Sequence, residues 1–190
     1  TAAVSTINNS WNYPYISGIT VSASQNKMYF QARDSNNGYE PYISDGTTGG
    51  TTMLKNIGTY SGGWAPSYAS NFTESGPLVF FTAESVFIES FYRLWVSDGT
   101  TAGTTSLTAS GVQVNSLFKV TPLVGSPILL FTATEGTYGS ELWTSDGTTI
   151  GTVLLKDINP GTASSNIAIL GAIDGGKKYL FTANDGVNGT

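Results

Sequence analysis

The sequence predicts an all-β protein made of small antiparallel sheets, one for each period of about 50 residues. Gly and Thr are abundant, aromatic residues make up 12% and charged residues 11% of the chain, and apolar residues fall in short runs between Gly-rich turns. This composition favours strands joined by tight turns. The period, and the order of strands inside it, are the two further observations that predict this class.

Two sequence markers define the period. The string Ser-Asp-Gly-Thr-Thr occurs three times, at Ser44–Thr48, Ser97–Thr101 and Ser145–Thr149. An apolar pair that ends in Phe recurs every 50 or 51 residues, at Tyr29-Phe30, Phe80-Phe81, Leu130-Phe131 and Leu180-Phe181. Self-similarity at a fixed period of this length is typical of repeat architectures.

Each period is predicted to contain four strands. The second, third and fourth strands of one period are Ile128–Ala133, Glu141–Asp146 and Thr152–Ile158. The next period begins with Ile167–Ile173 and continues, after a Gly175-Gly176 turn, with Lys178–Ala183. Because the turns are short and Gly-rich, successive strands are expected to pair as antiparallel neighbours. Each unit is therefore a four-stranded meander, followed by a connection in which Pro and Gly end the ladder.

Apolar residues on both faces of a strand predict that the sheets stack on one another. Along Lys178–Ala183, Tyr179 and Phe181 point to one face and Leu180 to the other. Blades of a β-propeller, or of a propeller segment, are covered on both faces in this way. We predict a single repeat domain over residues 1–190, with the last strand of a preceding blade at 1–7, blades at 17–58, 67–110 and 115–158, and an incomplete blade at 166–190.

The two ends of the chain allow two arrangements. Residues 184–190 stop where a third strand would begin, and Thr1–Ile7 resembles a fourth strand. The chain is either an excerpt of a longer tandem array or a four-blade ring closed by its N-terminal strand. We expect the excerpt, because a ring would lack one third strand and leave backbone groups unpaired.

The repeated segment resembles a known family. Glu141–Thr148, with the sequence Glu-Leu-Trp-Thr-Ser-Asp-Gly-Thr, is similar to the ELWxxDGT repeats of large bacterial secreted and surface proteins. Arg93–Thr100 is a near copy, and Glu40–Thr47 is a divergent copy with Tyr42 in place of Trp. The resemblance covers nearly the whole chain. It implies a propeller-like surface protein with no activity assigned to the repeat itself.

Charge and residue types exclude several classes of function. The net charge is −5 and the eight basic residues are scattered, whereas nucleic-acid binding needs a clustered basic face. The absence of Cys and His excludes thiol nucleophiles, Ser-His pairs, disulfides and thiolate or imidazole metal sites. No apolar run approaches the roughly 20 residues of a membrane helix. We expect no nucleic-acid partner, no membrane insertion and no cofactor, with calcium as the one cation to consider.

The acidic residues are predicted to act mainly in turns. In each Ser-Asp-Gly-Thr-Thr string the Asp is expected to accept backbone N–H bonds while the Gly supplies a positive φ, at Asp45-Gly46, Asp98-Gly99 and Asp146-Gly147. A candidate calcium loop comprises Asp34, Asn36 and Glu40, since oxygen ligands followed by a downstream carboxylate suit a hard cation. Ordinary turn chemistry is the alternative for that loop.

Aromatic residues outside the repeated strands are the candidate binding residues. They lie in the predicted connections between blades, at Trp11, Tyr13, Tyr15, Tyr60 and Trp64. We predict a ligand surface from Trp11, Tyr13, Tyr60 and Trp64, because aromatic rings on loops stack on sugars or form protein hot spots. The alternative is that they cap blade edges. Trp95 and Trp143 occupy a fixed position of the repeat, which favours inter-blade core over sugar platforms.

The predicted function is a non-enzymatic structural or adhesive repeat module, secreted or on a bacterial cell surface. Its expected partners are copies of itself, neighbouring repeats, or a surface glycan or protein. The alternative is a carbohydrate-binding, lectin-like propeller that uses Trp11 and Trp64. An enzyme is the third hypothesis, but a glycoside hydrolase needs two convergent carboxylates. Acids outside the repeat pattern, such as Glu74 and Glu89, have no sequence sign of pairing.

Overall fold

The structure, a computed structural model, describes residues 15–34, 36–60, 63–85, 91–119, 129–173 and 178–190. The all-β prediction is confirmed, because these residues form strands and turns and no helix. Contacts divide the chain into two compact units, Thr1–Ser106 and Leu107–Thr190. The predicted strand at 1–7 and the Gly175-Gly176 turn lie outside the described residues.

Sixteen strands are formed by the described residues. In chain order they are β1 (Ile16–Ser22), β2 (Lys27–Asp34), β3 (Gly38–Ser44), β4 (Thr52–Met53), β5 (Thr59–Tyr60), β6 (Gly63–Trp64), β7 (Ser70–Ser75), β8 (Leu78–Glu84), β9 (Tyr92–Ser97), β10 (Thr105–Ser106), β11 (Gln113–Lys119), β12 (Leu129–Glu135), β13 (Gly139–Ser145), β14 (Val153–Lys156), β15 (Ala168–Ile173) and β16 (Lys178–Thr182).

The strands form antiparallel sheets in chain order. Sheet 1 (β1 to β4), sheet 2 (β7 to β10) and sheet 3 (β11 to β14) are four-stranded meanders, as predicted. Sheet 4 (β15 and β16) and a short ladder (β5 and β6) have two strands each among the described residues. The fourth strands are shorter than the sequence predicts: β14 ends at Lys156 rather than at Ile158. The chain leaves the ladder there because the N–H of Ile158 bonds to the Glu141 side chain instead.

The second and third strands of each four-stranded sheet share the same register. An aromatic pair lies directly across the two strands in every case: Phe30 with Tyr42, Phe81 with Trp95, and Phe131 with Trp143. Their ring centroids are 6.0, 6.3 and 6.2 Å apart, respectively. Cross-strand aromatic pairs of this kind fix the register of a sheet and stabilise it.

The core of the first unit lies between sheets 1 and 2. Tyr29 and Ile43 of sheet 1 belong to one buried cluster with Phe72, Phe81 and Trp95 of sheet 2. The opposite face of sheet 1 holds a second buried cluster, formed by Phe30, Ala32 and Tyr42. Both faces of the second strand are therefore buried. Each large side chain in these clusters contributes about 1.5 to 3 kcal/mol to folding.

In the second unit, one face of sheet 3 packs against the segment that follows it. Leu130 and Leu142 of sheet 3 form a buried pair, against which Ile167 and Tyr179 of the following segment pack. Leu180, which faces away from Tyr179 in β16, is exposed. Phe181 is also exposed, so the predicted burial on both faces is not observed among the described residues of sheet 4.

A buried serine joins the two sheets of each unit. In the first unit the Ser67 N–H donates to the Tyr39 carbonyl (2.8 Å), and the Ser67 carbonyl accepts from the Glu84 N–H (2.8 Å). In the second unit the Ser165 N–H donates to the Ser140 carbonyl (3.1 Å), and the Ser165 carbonyl accepts from the Asn184 N–H (2.7 Å). In both units the connection therefore hydrogen-bonds to the sheet before it through the serine N–H, and to the strand after it through the serine carbonyl.

The Ser-Asp-Gly-Thr-Thr turn is held by its own side chains. In the third copy, the Ser145 hydroxyl accepts the Gly147 N–H (3.1 Å) and bonds to the Thr152 hydroxyl (2.7 Å). The Asp146 carboxylate accepts the N–H (2.8 Å) and the hydroxyl (2.7 Å) of Thr148. These bonds give hydrogen-bond partners to polar groups that would otherwise have none within a tight turn.

The other two copies form the same turn. Asp45 and Asp98 each accept both bonds from the Thr two residues later, and Gly46, Gly99 and Gly147 have φ values of +88°, +90° and +89°. The hydrogen bonds from the Thr hydroxyl and N–H hold the pKa of all three Asp carboxyls below the ordinary value. All three turns therefore have one geometry, in which Asp is an acceptor and Gly takes the left-handed conformation.

The Gly at the end of each turn is tested by substitution. A Cβ at Gly151 would collide with the Asp146 carboxyl, so Gly151→Ala should lower the free energy of unfolding by about 1–3 kcal/mol. The matched control is Gly136→Ala, because a Cβ at Gly136 meets nothing within 4 Å; we expect that change to be neutral or to stabilise by up to about 1 kcal/mol. Urea unfolding of both variants measures the difference, and equal stabilities would contradict this account of the turn.

Candidate functional site

A cluster of three tyrosines, two exposed and one half-buried, is a distinctive surface feature of the first unit. Tyr39 at the start of β3 contacts the ring of Tyr15 edge to face, and it stacks on the ring of Tyr68. Both centroid distances are 5.7 Å. Tyr15 is 55% exposed and Tyr68 is 39% exposed. We call these three residues the tyrosine cluster.

The backbone at Tyr68 has a left-handed conformation. Tyr68 has a φ of +48°, a left-handed conformation that costs a bulky L-residue about 1–2 kcal/mol. It follows Ser67, whose bonds to Tyr39 and Glu84 fix the connection between sheets 1 and 2. Asn166, which follows Ser165 in the second unit, has a φ of +50°, so the fold sets this conformation after the junction serine in both units. At Tyr68 it holds the ring against Tyr39.

Charged groups of both signs flank the cluster. The Arg33 guanidinium carbon lies 5.6 Å from the centroid of the Tyr39 ring, within the range of a cation–π contact. Burial, the Glu84 carboxylate and the nearby Tyr68 raise the pKa of Tyr92. Burial also raises the pKa of Glu84, although a hydrogen bond with Tyr92 opposes the change. The tyrosine cluster thus has a hydrogen-bond donor, the Arg33 guanidinium, and a carboxylate, that of Glu84, at its border.

This combination of groups suits a sugar. Aromatic faces pack on the C–H face of a pyranose ring, while guanidinium and carboxylate groups hydrogen-bond its hydroxyls. Tyr15 and Tyr68 are exposed and Tyr39 is half-buried, so the cluster offers rings on which a ligand can stack. Sequence reasoning singled out Tyr15 as a connection aromatic but missed Tyr39 and Tyr68, because only the fold brings the three positions together.

The four aromatics predicted to bind ligand are only partly described. Trp11 and Tyr13 lie outside the described residues. Tyr60 and Trp64 lie in the β5–β6 ladder, where Tyr60 pairs with Gly63 and Thr59 pairs with Trp64. The structure describes the backbone of Tyr60 and Trp64 but not their side chains. Their role in binding stays a prediction.

The repeat tryptophans lie against the second strands of their sheets. Trp95 is buried in the cluster between sheets 1 and 2 and stacks on Phe81. Trp143 is half-buried beside Phe131. The indole N–H groups of both have no hydrogen-bond partner among the described residues. Trp95 therefore packs as a core residue and does not present its face to solvent.

The predicted calcium loop forms a turn in which its oxygens already accept hydrogen bonds. The Asp34 carboxylate accepts the N–H of Asn36 (2.8 Å) and of Asn37 (2.7 Å), and the Tyr42 hydroxyl donates to it (2.8 Å). Burial raises the pKa of the Asp34 carboxyl, but the hydrogen bonds from Asn37, Tyr42 and Asn36 outweigh that effect and lower it overall. Glu40 lies further along in β3, with different partners.

Glu40 is a buried residue that binds the backbone of the connection after sheet 1. Its carboxylate accepts the Ile57 N–H (3.0 Å) and the Gly58 N–H (3.1 Å), and its side chain is fully buried opposite Ala32. Burial raises the pKa of Glu40 to about 7, although the backbone N–H of Ile57 and the Ser67 hydroxyl favour the carboxylate. Sequence reasoning missed this role and counted Glu40 as a possible metal ligand.

A second buried glutamate does the same in sheet 3. Glu141 is fully buried opposite Ala133 and accepts the N–H of Ile158 (3.1 Å) and of Asn159 (3.4 Å). A small residue opposite the Glu leaves room for its side chain to lie under the connection. In sheet 2 the corresponding residue is Arg93, and a guanidinium donates hydrogen bonds but cannot accept a backbone N–H as a carboxylate does. The first residue of the Glu-Leu-Trp string is thus a structural residue in two of the three sheets.

The raised pKa of Glu40 predicts a pH dependence of stability. Between pH 4.5 and about 7 the folded chain keeps a proton on Glu40 that the unfolded chain has released. The free energy of unfolding should therefore fall as the pH rises through this window, by roughly 3 kcal/mol. Asp34, Asp45, Asp98 and Asp146, with lowered pKa values, act in the opposite sense and only below their ordinary pKa of 3.8.

The variant Glu40→Gln isolates this effect, because the raised pKa of Glu84 gives a slope of the same sign. Urea unfolding at pH 4.5, 5.5 and 7 should give a smaller slope for Glu40→Gln than for the wild type. The control Glu135→Gln, at a half-buried turn acid that accepts the Thr137 N–H, should keep the wild-type slope. A wild-type stability that is constant or rises across this window would contradict the prediction.

Several other features bear on the kind of site this chain holds. Among the described residues, no three His, Cys, Asp or Glu side chains come together as a metal-binding group. The same residues include no helix with the length and apolarity needed to cross a membrane.

Comparison with protein-family models, with curated proteins and with solved structures finds no match to this chain.

Proposed function

We propose that this chain is a non-enzymatic structural or adhesive repeat module of a secreted or cell-surface protein, with its sheets acting as blades of a β-propeller or propeller segment. The observation that carries the proposal is the serine junction. Ser67 and Ser165 make the same pair of backbone bonds between successive sheets in the two units. A junction repeated with the same atoms is what a stack of interchangeable blades requires.

The residue chemistry is consistent with a scaffold rather than a catalyst. The acids Asp45, Asp98 and Asp146 accept hydrogen bonds inside turns, and Glu40 and Glu141 accept backbone N–H groups from connections. Carboxylates held in this way serve the fold. The resemblance of Glu141–Thr148 to the ELWxxDGT repeats of bacterial surface proteins supports the same reading.

Bead aggregation tests the adhesive role. Beads coated with the purified chain should aggregate with one another, because the module is proposed to have its own copies as partners. Excess soluble chain should disperse the aggregates, and beads coated with albumin should stay separate. Coated beads that remain dispersed at every surface density would contradict self-adhesion.

The tyrosine cluster favours a second candidate function, carbohydrate binding. Its exposed rings, with Arg33 and Glu84 at the border, are the groups that recognise sugars. The Tyr68 ring is held beside Tyr39 by the left-handed position after the junction serine, a position that Asn166 (φ +50°) occupies in the second unit. This site lies in the first unit and differs from the Trp11 and Trp64 surface that the sequence predicts.

Replacement of Tyr68 separates this function from folding. Asn tolerates a left-handed φ better than Tyr, so Tyr68→Asn should keep the fold and gain up to about 1 kcal/mol of stability. The same change should reduce glycan-array binding at least about tenfold, by loss of a stacking ring. The control Tyr138→Ala removes an exposed tyrosine from the β12–β13 turn and should leave binding unchanged. Equal binding by wild type and Tyr68→Asn, or none by either, would rule out this site.

A further inference from the structure

The tyrosine cluster belongs to the first unit and not to the repeat as a whole. Tyr39 and Ser140 are the residues whose carbonyls accept the junction serine N–H in the two units. Tyr68 and Asn166 are the residues that follow the junction serine, with φ values of +48° and +50°. The same backbone therefore forms with Ser and Asn in place of the two tyrosines. The fold itself requires no tyrosine at either position.

The half-buried Tyr39 holds the two exposed rings of the cluster at a fixed angle. Its ring plane lies at 90° to that of Tyr15 and at 24° to that of Tyr68. The Arg33 guanidinium also lies against the Tyr39 ring. Protein contacts thus occupy much of Tyr39, whereas Tyr15 and Tyr68 are open to a ligand. The two open rings are therefore steeply inclined to each other.

This inclination indicates the shape of the ligand. Hexopyranoses joined by equatorial bonds, as in cellulose, form a flat ribbon in which successive rings face the same way. An axial bond, as in amylose, turns each ring relative to the one before it. Sugar rings bind aromatic side chains face to face, so a flat ribbon can cover only one of two inclined rings. A chain with axial bonds can cover both Tyr15 and Tyr68.

The groups at the border favour a neutral sugar. Arg33 and Glu84 have opposite charges, so neither an anionic nor a cationic chain gains an electrostatic advantage. The Glu84 N–H donates to the Ser67 carbonyl (2.8 Å), next to Tyr68, and its carboxylate accepts a hydrogen bond from Tyr92. A carboxylate has further lone pairs, which sugar hydroxyls can use. A proline-rich peptide, which also binds exposed aromatic rings, has no N–H at its prolines to offer them.

We propose that the tyrosine cluster binds a neutral oligosaccharide of hexopyranoses joined by axial bonds. One sugar ring stacks on Tyr15, and a neighbouring ring of the same chain stacks on Tyr68. Tyr39 is a positioning residue that sets the angle between these two rings, and Glu84 accepts hydrogen bonds from the sugar hydroxyls. This inference rests on the carbohydrate binding proposed above and names the class of sugar that the site takes.

Maltopentaose and cellopentaose are matched probes, because both are chains of glucose of the same length and only the linkage differs. In isothermal titration calorimetry, maltopentaose, with axial bonds, should bind at least about tenfold more tightly than cellopentaose. Glucose should also bind at least about tenfold more weakly than maltopentaose, because a single sugar covers one ring. Equal affinity for the two pentasaccharides, or a preference for cellopentaose, would overturn the proposal. Binding of a polyproline peptide in place of both sugars would overturn it as well.

Substitutions locate the binding on the two open rings. Tyr15→Ala leaves one open ring, so the preference for maltopentaose over cellopentaose should disappear. Combining Tyr39→Ser with Tyr68→Asn gives the first unit the residues of the second unit, and this variant should fold and lose maltopentaose binding. The control Tyr138→Ala should keep both the affinity and the preference. An unchanged preference in Tyr15→Ala would contradict the proposed geometry.

The outcome also separates this inference from the carbohydrate function on which it rests. If neither pentasaccharide binds, but another glycan binds wild type and not Tyr68→Asn, the carbohydrate site stands and the inference about axial linkage fails. If no glycan on the array binds wild type, both fail together.

Discussion

The passage of the chain from one sheet to the next is the step on which this fold depends. At the crossings from sheet 1 to sheet 2 and from sheet 3 to sheet 4 the backbone enters a buried region, where an unpaired N–H or carbonyl costs about 1–3 kcal/mol. Ser67 and Ser165 pair the connection with the sheets on either side, and Glu40 and Glu141 accept N–H groups from the stretch before it. The apolar sheet faces can pack closely because these polar residues remove the penalty of burying the crossing.

The strands and turns could be predicted from the sequence because they are local. Spacing of Gly and alternation of apolar residues gave the meander order, and the positions of β12, β13 and β16 lie within one or two residues of the predicted runs. The Ser-Asp-Gly-Thr-Thr turns form with bonds between near neighbours. A turn whose hydrogen-bonding residues are all near neighbours in the sequence can be predicted from that local sequence alone.

The tyrosine cluster and the buried glutamates could not be predicted, because their partners are distant in sequence. Tyr15, Tyr39 and Tyr68 meet only after sheets 1 and 2 have packed. A Glu at the start of a strand is usually solvated, and nothing local indicates that Glu40 turns under a connection 17 residues later.

The self-contained turns have a consequence for how the protein is made. Ser145 and Thr152 are seven residues apart, and the bonds between them close a loop that forms in far less time than a contact between sheets. Hairpins can therefore nucleate one at a time as the polypeptide emerges from the ribosome, and each completed sheet offers a surface on which the next can fold. The local hairpin contacts can therefore form before the contacts between sheets, which join residues distant in sequence.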